Sequence, residues 1–381
     1  MIRDSLSMSQ EIVISGGGLW NPEYTITNEE LVEAYNAWAQ KYNFEHAATI
    51  EAGTEDAKPY SSAEFVAKAS GIKSRFVFCK DGVLDIDRMR PAFLERGDDE
   101  LSQQAEMAVN AARIAMAEAK KTGRDIDAVI VSCAYTQRSY PAIAIEVQKE
   151  LGIEGFGFDM LVACSAATFA LQRAYEMVAA GTAKCVLAIN PELTSPQVNY
   201  RDRDSHFIFG DVATATIVEK AETCTSEHSY EIVSTKAVTS FSNNIRSNFG
   251  YTSRATDADP YSADKLFHQA GRKVFKEVCP MAAKHIGEHI AQHDLSPNDI
   301  SRWWLHQANI NMNTLITKQL LGRVATVAEA PIVLDRYANT ASAGSLIAFN
   351  LYHKDLKKGD YGLICSFGAG YSIGSLVLKK R

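Results

Sequence analysis

Three side chains that can carry out acyl chemistry lie where the sequence predicts that a strand ends. Cys164 follows the apolar run GFDMLVA and precedes the helical run SAATFALQRAYEMVAAG, His306 follows the strand Trp303–Leu305, and Asn339 lies in ANTASAG. Backbone amides at the start of a helix are unpaired, and the helix dipole is positive there. A thiol at this position is expected to have a lowered pKa. The strand, nucleophile and helix in this order favour Cys164 as a nucleophile.

Each of the three residues also has a structural explanation. Many cysteines are inert packing groups in a core, and Cys164 follows an apolar strand. A histidine after a strand is often a satisfied core residue, and an asparagine before a helix is an ordinary N-cap. The residues taken one at a time therefore leave both interpretations open for Cys164, His306 and Asn339.

A repeat along the chain favours the catalytic interpretation. RWWLHQAN parallels DAVIVSCA, VLDRYANTASAGSLIAFNLY parallels the strand and helix around Cys164, and YGLICSF parallels KCVLAIN, all with an offset of roughly 175 residues. Two related halves packed about a pseudo-twofold axis would bring Cys164 and Asn339 to one centre, with His306 at the end of a neighbouring strand. The alternation of strands and helices predicts an α/β fold with mainly parallel sheets covered by helices on both faces.

The same pattern predicts the elements and domains. We expect residues 1–225 to form one half, with an insert at about 46–97, and residues 226–381 to form the second half. In the first half, the predicted strands are 11–18, 75–79, 127–134, 157–163, 184–190 and 213–220, and the predicted helices are 27–45, 61–70, 98–120, 142–152 and 165–181.

Composition excludes several classes of protein. The chain has 381 residues and a net charge of -7, without a long basic run, so nucleic acid is not an expected partner. Seven cysteines without CxxC spacing argue against a disulfide framework or a zinc site. The apolar stretches are too short to span a membrane, and MIRDSLSMSQ lacks the apolar core of a signal peptide, with Met8 an alternative start. These features predict a cytoplasmic protein.

Four segments resemble the signature regions of β-ketoacyl-[acyl-carrier-protein] synthase III: VACSAATFALQ, LHQANINMNTLITKQLLG, DRYANTASAGS and SFGAGYSIGS. The resemblance extends from about residue 100 to the C-terminus, and TNEEL and GIKSRF match family segments near the start. It implies the thiolase fold, in which two duplicated α/β halves form α-β-α-β-α layers, and a homodimer. It implies no metal and no cofactor, because the thioesters of CoA and phosphopantetheine are the substrates.

The resemblance also implies a mechanism for fatty acid biosynthesis. Cys164 would take an acyl group from acyl-CoA or acyl-carrier protein, with the backbone amides of Cys164 and Ala369 as the oxyanion hole. Malonyl-carrier protein would then lose CO2, and neutral His306 and Asn339 would stabilise the resulting enolate-like thioester. Condensation would give β-ketoacyl-carrier protein. Thiolases proper have a second catalytic cysteine near the corresponding glycine loop, but Cys365 is in register with an apolar residue of the family.

Further substrate contacts are implied at other positions. Tyr140 matches an aromatic residue that reaches across the dimer interface into the partner's acyl pocket, and Phe367 matches a phenylalanine beside the cysteine. Arg203 matches an arginine that stacks on the CoA adenine, whereas Phe65 replaces the tryptophan that completes this clamp. The resemblance also implies contacts from Asn309 and Lys318. Ala69 and Asn311 stand where basic residues are common, and Lys68, Lys318 and Arg323 are candidates to replace them.

Other functions remain open from the sequence. The insert and the altered adenine clamp fit a synthase III-like enzyme of secondary metabolism, such as a polyketide or alkylresorcinol pathway. A cysteine hydrolase would also use Cys, His and Asn, but the α/β duplication argues against it. A non-catalytic partner subunit is disfavoured because Cys164, His306 and Asn339 are all present.

Overall fold

A computed structural model describes residues 11–259 and 262–381. The expectations about the signal peptide and the start at Met8 therefore lie outside the described residues. The described strands are β1 (Ile12–Trp20), β2 (Tyr24–Thr27), β3 (Ser74–Val77), β4 (Ala128–Cys133), β5 (Phe156–Leu161), β6 (Cys185–Glu192), β7 (Val212–Lys220), β8 (Tyr230–Ser242), β9 (Ile245–Arg246), β10 (His268–Gln269), β11 (Ile300–Leu305), β12 (Tyr361–Gly368) and β13 (Gly370–Lys380). The α-helices are α1 (Asn28–Glu45), α2 (Ala47–Glu51), α3 (Ala63–Ser70), α4 (Gln103–Ala119), α5 (Ile143–Glu150), α6 (Ala166–Ala179), α7 (Gly271–Ala291), α8 (Ile310–Leu321), α9 (Leu334–Tyr337) and α10 (Ala343–Leu351).

Nine of these strands form one mixed sheet in the order β11-β12-β13-β8-β1-β7-β6-β4-β5. The pairs β4–β5, β4–β6 and β11–β12 are parallel, and the other neighbours are antiparallel. The prediction of mainly parallel sheets is therefore wrong. One reason is the turn at Ala369: a connection this short can only join antiparallel strands, and here it joins β12 to β13.

The helices and the sheet pack as five layers. Helices α4 and α5 cover the outer face of β4, β6 and β7, and α7 and α8 cover the outer face of β11, β12 and β13. Helices α6 and α10 lie between the two parts of the sheet, where Ala170, Leu171, Leu346 and Ile347 share one buried cluster. These small and aliphatic side chains let the central helices contact strands of both parts closely.

The predicted repeat is visible in the strand order. From each outer region of the sheet towards its middle, the strands run β4-β6-β7-β1 and β11-β12-β13-β8, and antiparallel pairing of β1 with β8 joins the two series. Strand β5 has no counterpart among the described strands of the second series, because helix α9 occupies the corresponding part of the sequence there. Leu334 and Tyr337 are both buried, and their spacing suits one helical turn. The division at residues 225 and 226 stays a prediction.

Several boundaries differ from those expected. Helix α4 begins at Gln103 instead of residue 98, because the Ser102 side chain accepts a hydrogen bond from the Ala105 amide and caps the helix there. Helix α2 was not expected within the insert. Cys164 lies in a 3-10 turn, Ala163–Ser165, between β5 and α6. None of the helices in the described ranges is long and apolar enough to cross a membrane.

Candidate active site

Cys164, His306 and Asn339 line one cavity of about 50 Å³, together with Phe367 and Gly368. The two halves of the chain therefore bring the three predicted catalytic side chains together. The remaining lining is largely apolar and comes from Phe209, Ile245, Phe267, Gln269, Val274, Val278, Ala308 and Met312.

The backbone around Cys164 is tightly packed against the turn that joins β12 to β13. A Cβ atom added to Gly368 would lie 2.4 Å from Cys164 Cβ and 2.9 Å from its Sγ. The Ser165 hydroxyl donates to the Ser372 carbonyl at 2.9 Å, which fixes the nucleophile turn to β13. The amides of Ala369 and of Cys164 itself interact with the thiol. Both amides expected in an oxyanion hole thus lie close to the sulfur.

Burial raises the pKa of the Cys164 thiol to about 12, and the carboxylate of Glu192 contributes to the rise. The hydrogen bonds from the Ala369 and Cys164 amides act in the opposite direction but do not overcome burial. The pKa expected from the helix start was lower than usual, and that expectation is wrong. The sequence shows the helix start, but it does not show that the fold removes much of the solvation of the sulfur, even though the Cys164 side chain remains partly accessible.

His306 is neutral at physiological pH, because burial lowers its pKa to about 4. Its backbone amide donates to the Cys365 carbonyl at 2.8 Å, which holds the residue at the end of β11. The imidazole ring packs edge-on against Phe367, with centroids 5.2 Å apart. Its Nδ1 atom has no partner within the described residues. A neutral imidazole can donate from one nitrogen and accept at the other.

Asn339 is held on both sides of its backbone by the segment before β7. Its amide donates to the Ile208 carbonyl at 2.9 Å, and its carbonyl accepts from the Gly210 amide at 3.1 Å. The side-chain Oδ1 accepts from the Ala341 amide at 3.0 Å. Because Oδ1 is used in this way, the NH2 group is the part of the carboxamide that remains to donate to a ligand in the cavity.

Glu192 was not predicted as part of the site. It ends β6 and is 1% exposed, and its carboxylate accepts hydrogen bonds from the amides of Ala134 and Ser342. The signal in the sequence is a single acidic residue at the end of the apolar run KCVLAINPE. Its partner Ser342 is 150 residues away, so the sequence alone does not show what the carboxylate contacts.

The predicted adenine clamp lies outside the cavity lining and is closed. The guanidinium of Arg203 lies 4.0 Å from the centre of the Phe65 ring. Arg203 Nε also donates to the Tyr60 carbonyl at 2.9 Å, which connects the clamp to the insert. A base between the two groups would need about 7 Å, the sum of two van der Waals contacts. Adenine can bind between the two groups only if Arg203 or Phe65 moves.

The remaining predicted substrate residues are also outside the cavity lining. Asn309 caps α8 by accepting from the Asn311 amide at 2.8 Å, and its Nδ2 donates to the Ala69 carbonyl at 2.9 Å. Lys318 is exposed in the last turn of α8, and Tyr140 is 83% exposed. Cys365 is fully buried in the core below the site. The substrate roles of Asn309, Lys318 and Tyr140 stay predictions.

Comparisons with known proteins agree with this fold. Family models of 3-oxoacyl-[acyl-carrier-protein] synthase III match residues 158–240 and, for its C-terminal part, residues 290–380. A β-ketodecanoyl-[acyl-carrier-protein] synthase of Pseudomonas aeruginosa is 54% identical over 350 residues, which cover 92% of this chain and 100% of that protein. A β-ketoacyl-[acyl-carrier-protein] synthase III of Brucella anthropi is 30% identical, with coverage of 84% and 91%.

Solved structures show the same fold at lower identity. The 3-oxoacyl-[acyl-carrier-protein] synthase III of Aquifex aeolicus has a TM-score of 0.75 at 22% identity and covers 97% of this chain and 99% of its own. The priming β-ketosynthase of the R1128 polyketide pathway has a TM-score of 0.76 at 21% identity, with coverage of 98% of both chains. The layered α/β fold and its cysteine cavity define a condensing enzyme of the thiolase fold. With 54% identity over nearly its whole length to such a synthase, the chain belongs to the β-ketoacyl-[acyl-carrier-protein] synthase III family, the acyl-transferring condensing enzymes of fatty acid biosynthesis.

Proposed function

We propose that this enzyme condenses an eight-carbon acyl thioester with malonyl-carrier protein and releases β-ketodecanoyl-carrier protein. The observation that carries the reaction is the convergence of Cys164, His306 and Asn339 on one cavity. The chain length follows from the Pseudomonas relative, whose name specifies a ten-carbon product. Decarboxylative condensation adds two carbons of malonate to the starter, so a ten-carbon product requires a starter of eight carbons.

In the first half-reaction, the Cys164 sulfur forms a bond to the donor carbonyl carbon and the bond from that carbon to the donor sulfur breaks. The Cys164 proton moves to the departing thiol by way of the neutral His306 imidazole, which can accept and return it. The amides of Cys164 and Ala369 donate to the oxygen that becomes negative in the tetrahedral intermediate. The products are acyl-Cys164 and the free donor thiol.

In the second half-reaction, the bond between the malonyl carboxylate and the α-carbon breaks, CO2 departs, and the electron pair moves into the thioester as an enolate. His306 and the NH2 group of Asn339 donate to the enolate oxygen, and they are fixed in place before the charge develops. The α-carbon then forms a bond to the acyl-Cys164 carbonyl carbon, the bond from that carbon to the sulfur breaks, and the sulfur takes up a proton from solvent. Side chains and backbone amides of this chain supply the nucleophile and the hydrogen-bond donors for these steps.

We extend the proposal to the donor, the assembly and the location. The donor is a CoA or carrier-protein thioester, and the closed stack of Arg203 on Phe65 means that CoA must open the clamp before its adenine can bind. The assembly is a homodimer, because the Tyr140 side chain is 83% exposed and is free to reach a second copy. The location is the cytoplasm. A role in polyketide synthesis is supported by the insert, the altered adenine clamp and the fold-level likeness to the R1128 enzyme, but not by the relative of 54% identity.

The test is to incubate the purified chain with acyl donors of two to twelve carbons and to measure intact mass and product. We expect acylation of Cys164 to be fastest with the eight-carbon donor and to be absent in Cys164→Ala. His306→Ala and Asn339→Ala should each lose malonyl decarboxylation by about 100-fold or more, as for other oxyanion donors. Cys164→Gln is the control, because it removes the nucleophile and leaves both donors. Normal acylation of Cys164→Ala would contradict the assignment of the nucleophile.

A further inference from the structure

Glu192 lies where three segments of the chain meet beside the nucleophile. It is the last residue of β6 and is 1% exposed. One carboxylate oxygen, Oε2, accepts from the Ala134 amide at 3.1 Å, immediately after β4. The other, Oε1, accepts from the Ser342 amide at 3.1 Å and from the Ser342 hydroxyl. A single buried carboxylate thus joins the ends of two strands of the first half to the turn that precedes α10.

The Ser342 turn is the one that orients Asn339. Ala341, the residue before Ser342, donates its amide to Asn339 Oδ1 at 3.0 Å. Ala341 and Ala338 both have positive φ, 45° and 56° respectively, a conformation that costs energy for residues with a Cβ. Such a turn persists only where its surroundings hold it. The two hydrogen bonds that Ser342 donates to Glu192 hold the turn against the first half of the chain.

The charge of Glu192 acts on the nucleophile as well. It is one of the causes that raise the pKa of the Cys164 thiol, after burial. The other titratable groups that interact with it are Cys133 in β4, Tyr135 after β4 and Asp211 before β7. Burial, with a smaller contribution from Asp211, raises the pKa of Glu192 itself to about 7, although the hydrogen bonds from Ser342 and Ala134 act to lower it.

We propose that Glu192 is a positioning residue that holds the Asn339 carboxamide towards the cavity through its hydrogen bonds to Ser342. It is absent from the cavity lining, so its effect on a substrate in the cavity passes through Ser342 and Asn339. The restraint on Asn339 assists decarboxylation, and the ionised carboxylate adds to the effect of burial on the Cys164 pKa. This inference rests on the proposed function, because it presumes that Asn339 stabilises the enolate.

The test variant is Glu192→Gln, which keeps the size of the side chain but removes the charge and one acceptor. We expect alkylation of Cys164 by iodoacetamide at pH 8 to become about three- to tenfold faster, because an anion near the sulfur has been removed. Malonyl decarboxylation should lose about 10- to 100-fold in kcat with little change in KM, because a misplaced Asn339 affects the transition state more than binding. Two rates that change in opposite directions are not expected from a general loss of structure.

Glu219→Gln is the matched control. Glu219 is also a fully buried carboxylate on a strand of the first half, but it pairs with Lys121 at 2.7 Å and does not line the cavity. This variant should leave alkylation and decarboxylation within about twofold of the parent. Because Glu192→Gln could fold poorly, Ser342→Ala serves as a second variant that removes the hydroxyl donor alone. It should lower decarboxylation without slowing alkylation.

The outcomes separate this inference from the proposed function. If the parent enzyme decarboxylates malonyl-carrier protein and both Glu192→Gln and Ser342→Ala match it, the positioning role is wrong and the function stands. Equal losses of alkylation and decarboxylation in Glu192→Gln, with a lower melting temperature, would show a structural role only and would also overturn the inference. If the parent enzyme has no decarboxylation activity, the proposed function itself fails.

Discussion

At the scale of residues, the cavity keeps both reacting groups uncharged before substrate binds. Burial raises the pKa of Cys164 to about 12 and lowers the pKa of His306 to about 4, so that the thiol and the imidazole are both neutral near pH 7. A thiolate–imidazolium pair would instead be expected beside an exposed helix start. A neutral imidazole suits both half-reactions, because it can pass on a proton in the first and donate a hydrogen bond in the second.

Gly368 sets how closely the oxyanion loop approaches the nucleophile. We expect Gly368→Ala to reduce acylation of Cys164 by about 100-fold, because the added Cβ would lie 2.4 Å from Cys164 Cβ and must displace either the loop or the sulfur. Intact-mass measurement of the acylated enzyme over time gives the rate. Gly287→Ala, within α7, is a suitable control. A Cβ atom added to Gly287 would contact only the end of the Leu320 side chain, at 3.8 Å. An unchanged acylation rate in Gly368→Ala would mean that the loop is not needed at its observed position.

At the scale of elements, the repeat in the sequence was enough to predict that Cys164 and Asn339 would meet. Each precedes a central helix of its half, α6 or α10, although Cys164 follows strand β5 and Asn339 follows helix α9 instead of the expected strand. Most strands and helices were also predicted to within a few residues, because their apolar periodicity is strong. The antiparallel pairing was not predicted. Whether two strands pair in parallel or antiparallel depends on their connections and on partners that are distant in sequence.

The parts of the site that the sequence did not predict depend on long-range contacts. Glu192 acquires its role from Ser342, 150 residues away, and Arg203 is fixed by the Tyr60 carbonyl, 143 residues away. The pKa of Cys164 likewise depends on burial by both halves. Local sequence patterns report propensity and amphipathic faces, but they do not report which distant polar group completes a hydrogen bond.

Strand β5 provides the surface that we expect to form the dimer. It pairs with β4 on one side and is at the end of the sheet, so its other edge can accept a strand from a second copy. Phe156, in β5, is 42% exposed and Leu161 is 55% exposed. An edge strand with exposed apolar side chains is a surface that proteins normally cover.

Sedimentation analysis should therefore show a dimer, and Phe156→Lys should weaken it by placing a charge at the edge of β5. Phe44→Lys is the control, because Phe44 is 84% exposed on α1 and the same change there should leave the dimer intact. Tyr140→Ala should remain dimeric but acylate more slowly with the eight-carbon donor. A monomer with full activity would contradict both the interface and the role of Tyr140.

At the scale of the whole molecule, the reaction centre lies at the junction of the two parts of the sheet. The nucleophile turn of the first half is hydrogen bonded to β13 of the second through Ser165 and Ser372. Strand β1 pairs with β8 across the same junction. Activity is therefore coupled to the stability of the entire fold, and a condition that destabilises the core should also reduce catalysis.

Acid should destabilise the fold, because several histidine side chains are buried in the neutral form. Of the nine histidines in the chain, which all lie within the described residues, five are buried with lowered pKa values. Burial is the largest cause in each, and it lowers the pKa to about 4 or, for His289, to about 3. The five are His206, His285, His289, His306 and His353.

The sign of the effect follows from proton binding. Between the unfolded pKa of 6.5 and the native value of about 4, the unfolded chain binds more protons than the native protein. The contribution of these histidines to stability is complete above pH 6.5 and is lost as the pH falls towards 4. Glu192 acts in the opposite sense, because its native pKa of about 7 lies above its usual value of 4.5. Burial also raises the pKa values of Asp159 and Asp211, which act in the same sense as Glu192. These three carboxyls do not offset five histidines.

We therefore expect the free energy of unfolding, measured by denaturant titration from pH 7.5 to 4.5, to fall steeply below about pH 6.5. His353→Phe should reduce the slope by up to about 1.4 kcal/mol per pH unit, the effect of one proton. The imidazole of His353 stacks on Phe349 with ring centres 4.7 Å apart, and neither ring nitrogen has a described partner, so a phenyl ring fits its surroundings. The exposed His268 supplies the control, and His268→Gln should leave the slope unchanged. If His353→Phe has the same slope as the parent, the buried imidazole is not the source of the acid sensitivity.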